Sequence, residues 1–81
     1  MSNVLIAFEQ GIAARGLFVR CRKPILCGYS YTIRDQPAPH YQGGMIIHIT
    51  EDELDTNDPV IGEKLAKIVA KEFGVVKEAD D

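Results

Sequence analysis

From Leu17 to Arg34 the chain alternates apolar and polar residues with a period of two, and the alternation breaks once, at Lys23-Pro24. That period belongs to strands with one buried face. Leu17, Val19 and Cys21 point one way, and Phe18, Arg20 and Arg22 the other. Beyond the break, Ile25, Cys27, Tyr29, Tyr31 and Ile33 share a face, with Leu26, Gly28, Ser30, Thr32 and Arg34 opposite. Proline has no amide to donate, so Pro24 belongs at a turn or on an edge strand. A turn there predicts an antiparallel hairpin. Residues opposed across a hairpin must lie on the same side of the sheet. A three-residue loop, Lys23-Pro24-Ile25, meets that condition by setting Cys21 against Cys27, Val19 against Tyr29 and Leu17 against Tyr31. The two thiols are then cross-strand neighbours on the buried side.

The flanking segments predict what covers this hairpin. In "SNVLIAFEQGIAARG", Leu5, Phe8 and Ile12 form one apolar stripe at helical spacing. Ser2 or Asn3 can cap the first amides, and Gly16 suits the left-handed residue that ends a helix. The run "VLIAF" also fits a strand; Glu9, Gln10, Ala13 and Ala14 favour the helix. "MIIHIT" (45–50) reads as a third strand, with Met45, Ile47 and Ile49 inward and Ile46, His48 and Thr50 outward, or the reverse.

Thr50 and Glu53 have capping-box spacing, predicting a short helical turn that closes between Asp55 and Asn57. Asp58 then caps a helix with Pro59 at its first position, running to Phe73 with Gly74 after it. Its expected apolar face is Ile61, Leu65, Ile68, Val69 and Phe73. Gly62 costs about 1 kcal/mol relative to alanine inside a helix, which predicts close packing against the sheet. Val75 and Val76 are read as a short extended contact, and 77–81 as a frayed acidic tail.

Composition bounds the function classes. Eighty-one residues, 46% hydrophobic and 26% charged, suit one globular domain that buries about 60% of its unfolded surface. No apolar run approaches a membrane span of roughly 18 residues, and the first residues lack a basic stretch and a cleavage site. The sequence therefore predicts a cytoplasmic protein with reduced thiols, of a size that suits a phage or prophage product. The net charge of −3 is divided, with residues 1–50 at +3 and 51–81 at −6. Between Arg15 and Arg34 there is no acid, an asymmetry that can mark an interaction surface.

The chemical motifs are sparse. Cys21, Cys27, His40 and His48 are zinc-ligand types, but C-x5-C-x12-H-x7-H matches no common zinc spacing. His40 could act as base to Cys27 or Ser30, yet no third residue is placed to orient it. Neither metal, cofactor nor catalytic residue is assigned. The helix–strand–strand–strand–helix order resembles that of double-stranded-RNA-binding domains, whose last helix opens with basic residues. The corresponding stretch here is "DPVIGEK", and the chain is not assigned to that family.

The expected fold is α+β: a three-stranded antiparallel sheet with N- and C-terminal helices packed on one face (α-β-β-β-α). A small sheet covered on one side leaves an open face and two edges. This predicts a non-enzymatic module that binds another protein or itself as a homodimer, as a regulator or inhibitor of a larger complex. Its candidate contacts are Phe18, Arg20, Arg22, Arg34 and His48 on the strands and Lys23 in the hairpin loop. His40 and Tyr41 add to them from the ten-residue "DQPAPHYQGG" loop. The alternative is RNA or single-stranded DNA, with arginines on phosphates and Phe18 stacking a base.

Overall fold

The computed structural model describes residues 2–35 and 44–74. The elements run α1 (Asn3–Ala14), β1 (Phe18–Ile25), β2 (Gly28–Arg34), β3 (Met45–Thr50), α2 (Glu51–Thr56) and α3 (Pro59–Glu72). The class is α+β, and the three strands form one antiparallel sheet in the order β1-β2-β3. The loop carrying His40 and Tyr41, and residues 75–81 with Val75, Val76 and the acidic tail, lie outside the described residues.

The helix ends follow local chemistry. Ser2 Oγ accepts the Val4 amide at 3.0 Å, and Gly16 takes the positive φ of 79° after α1. Thr50 and Glu53 form a full capping box at α2, and the Asp58 carboxylate accepts the Val60 amide behind Pro59 at α3. These bonds occupy donors that no helical carbonyl can reach.

The core lies between the helices and one face of the sheet. Val4, Leu5, Phe8 and Ile12 of α1 meet Tyr31, Ile33, Ile49, Ala66 and Val69. Phe8 stands edge-on to Tyr31, with ring centroids 4.9 Å apart. On α3 the buried residues are Gly62, Ala66, Val69 and Ala70, whereas Ile68 is 53% exposed. Two sequence expectations are corrected here. Ile68 leaves the core face because the small residues, not the large ones, face α1. Gly62 packs against α1 rather than the sheet: a Cβ there would collide with the Val4 carbonyl and the Phe8 amide. From the α1 side, a Cβ on Gly11 would sit 2.7 Å from Ala66 Cβ. Arg15 fastens the crossing, donating to the Gly11 carbonyl at 3.0 Å and to Glu63 at 2.7 Å.

The hairpin is antiparallel, but its register differs from the expected one. Ile25 pairs with Gly28, so the loop is Leu26-Cys27, and Pro24 lies inside β1 opposite Tyr29. Gly28 makes this turn possible. Its φ is 145°, and any Cβ would run into the Ile49 carbonyl. The positive φ that tight hairpins need thus falls just after the loop. A bulge between Val19 and Cys21 leaves Arg20 as the extra residue. It sets Cys21 opposite Thr32 and Arg22 opposite Tyr31.

The predicted Cys21–Cys27 pairing is therefore wrong. Cys21 faces outward, Cys27 sits in the turn, and both are exposed free thiols. One extra residue reverses every side chain beyond it, and periodicity read from the sequence cannot show where it is inserted.

Candidate functional site

The shortest dimension of the molecule is 17 Å, the depth of one sheet and one layer of helices each about 10 Å across. Among the described residues nothing covers the far side of the sheet, and that face is the candidate site.

Its residues fall in transverse rows set by the two registers. Phe18 lies beside Arg34; Cys21, Thr32 and Ile46 form a second row; Lys23, Ser30 and His48 a third; Ile25, Gly28 and Thr50 the last. Neighbouring strands lie about 4.8 Å apart, so Lys23 and His48 flank Ser30 at roughly 10 Å from each other. Phe18 is 41% and Ile46 64% exposed. The three strands contain no acid at all: their charged residues are Arg20, Arg22, Lys23 and Arg34, with His48. Leu26, at the hairpin tip, is 93% exposed.

Phe18, Lys23, Arg34 and His48 thus share the open face, and Arg20 is the bulge residue beside them. Arg22 does not join them. The bulge turns it to the helix side, where Glu9 Oε2 accepts its Nη1–H at 2.8 Å and the Tyr31 hydroxyl at 2.6 Å. The Glu9 contact, ahead of Tyr31, raises the Arg22 pKa further above its already high ordinary value. Burial, then the bond to Glu9, pushes the Tyr31 phenol well above its usual range. A phenol so held is a hydrogen-bond donor, and the network pins β1 to α1. Reading the sequence for chemistry missed Glu9, because it pairs across 13 residues with an arginine assigned to the other face.

Among the described residues no three His, Cys, Asp or Glu side chains gather as a metal site, and no helix is long and apolar enough to cross a membrane. A groove of about 410 Å³ beside α3 is lined by Ile61, Leu65 and Ile68, with Glu53, Lys64 and Lys67 at its rim. Comparison with family models, with curated proteins and with solved structures gives no match.

Proposed function

We propose that the chain is a non-enzymatic binding module that works in the cytoplasm through the open face of its sheet, regulating or inhibiting a larger complex by protein–protein contact. The observation that carries this reading is the outward face, which no other described element covers and on which Phe18 and Ile46 stand exposed among polar and basic side chains. Apolar anchors inside a polar rim are the usual anatomy of a protein interface. The absence of any acid on the strands favours a partner surface with carboxylates. It also supports a second reading, in which RNA or single-stranded DNA lies across Lys23, Arg34 and His48 and stacks on Phe18.

The test is affinity capture from the native host with and without nuclease, using wild type and a Phe18→Glu/Thr32→Glu variant that keeps the wild-type melting temperature. A captured protein that survives nuclease and is lost with the variant supports the protein reading. A nuclease-sensitive catch whose affinity falls steeply with salt, as counterion release requires, transfers the face to nucleic acid. Equal capture by wild type and variant removes the face from either role.

A further inference from the structure

The two edges of the sheet are not equivalent. β1 carries a bulge at Arg20, the charges of Arg22 and Lys23, and Pro24, which are the devices that stop an edge strand from pairing with another chain. β3, "MIIHIT", carries no bulge, no proline, no lysine, arginine or acid, and pairs with β2 in unbroken register from Ile33↔Met45 to Gly28↔Thr50.

The hydrogen-bond phase of β3 follows from its last bond. The Glu51 amide donates to the Cys27 carbonyl at 2.8 Å, continuing the register one step past Gly28↔Thr50. Hydrogen-bonded pairs alternate in an antiparallel ladder, so Met45, Ile47 and Ile49 direct their amides and carbonyls to β2. Ile46, His48 and Thr50 direct theirs to the outer edge. The Thr50 amide is already taken by Glu53 Oε1 at 3.0 Å. This leaves Ile46 and His48 facing outward, spaced evenly about Ile47, and among the described residues no strand lies beside them.

We propose that β3 pairs antiparallel with β3 of a second copy about a two-fold axis through Ile47, joining two sheets into one. The proposal rests on the reading of the sheet as an interaction surface and names one partner for it. Antiparallel pairing about Ile47 sets Ile46 opposite the partner's His48 and His48 opposite the partner's Ile46, so that both residues on each copy donate and accept at once. Symmetry brings the same strand of each copy together. At β1 it would set Arg20, Arg22 and Lys23 of one copy among the same basic residues of the other. At β3 it opposes Ile47 to itself and Met45 to the partner's Ile49. A contact this short lies below the roughly 1,200 Å² of stable interfaces, so association depends on concentration.

Sedimentation equilibrium, with amide exchange followed by NMR, tests the proposal. The expected mass rises with concentration from 9.0 kDa toward twice that value, and the Ile46 and His48 amides become protected in step. His48→Pro deletes an outward-facing donor on each copy, together with the imidazole that His48 presents on the open face. It should loosen the dimer about 30-fold, the effect of two lost hydrogen bonds, without lowering the melting temperature of dilute protein. Ile46→Lys is a second route to the same result if the proline variant does not fold. A constant monomer mass overturns the proposal. So does a dimer indifferent to both variants, or one abolished only by Phe18→Glu/Thr32→Glu. A chain that captures a host protein through its open face yet never self-associates sinks the dimer while leaving the binding-module reading intact.

Discussion

β1 and β3 border the same central strand, yet they reach stability in different ways. β1 is exposed along almost its whole length, and its edge is closed by its own sequence: a bulge, charges and a proline. Pro24 loses nothing by lacking an amide. It lies opposite Tyr29, whose own amide and carbonyl turn to β3, so the missing donor points away from the sheet. β3 buries Ile49 and half-buries Met45 and Ile47 under the helices, while its outer edge, with no other described strand beside it, has no such local defence. An edge strand can thus be protected by residues within it, or left plain where the fold or a partner covers it.

The largest effect is expected from proline scanning along β3. Ile47→Pro removes a bond to β2 and should cost more than about 3 kcal/mol, leaving the chain unfolded by circular dichroism at 25 °C. His48→Pro, one residue further on, should change stability by less than about 1 kcal/mol. Equal losses at the two positions would mean that the phase assigned to β3 is wrong.

The attachment of β1 is tested next. Tyr31→Phe deletes the hydroxyl that Glu9 accepts at 2.6 Å and should cost about 1–2 kcal/mol in urea unfolding. The folded-state pKa of Tyr31 lies above its ordinary 10.0, so folding favours the protonated phenol. The wild-type advantage over Tyr31→Phe should therefore be full below pH 10 and shrink as pH rises beyond it. An advantage that is unchanged at high pH would separate the hydroxyl from the stability of the hairpin.

A small effect on stability is expected from removing the guards of β1. Lys23→Thr/Pro24→Val should alter the melting temperature by only a few degrees while making the protein form larger assemblies, seen by light scattering. If it stays as soluble as wild type, the protection of β1 lies elsewhere.

Much of this fold was legible before any coordinate. The capping box at Thr50, the Asp58-Pro59 helix start and the Gly16 stop are local chemistry, readable within a few residues. The inward and outward sets of β2 followed from its period, since Tyr29, Tyr31 and Ile33 alternate cleanly with Ser30, Thr32 and Arg34; for β3 the period left two parities open, and packing puts Met45, Ile47 and Ile49 inward. The candidate face was legible on β2 and only partly on β1 and β3. Phe18 and Lys23 do lie on the open side, though Lys23 belongs to β1 and not to the loop where face parity alone puts it. Arg22 was assigned outward and instead turns inward to Glu9. The sequence does hold one sign of the true turn, the glycine that follows Leu26-Cys27. The proline four residues earlier, which an edge strand tolerates, drew the loop to itself.

What depends on near neighbours along the chain was readable without the fold: where helices begin and end, and that the segments around Pro24 alternate as strands. Tertiary structure alone decided where Arg20 is inserted, which way Arg22 points, and that Gly62 is small for the sake of α1. A bulge shifts the register by one residue at little local cost, and only packing against the far partners, Glu9 and Tyr31 for Arg22 and Val4 for Gly62, selects one arrangement over the next.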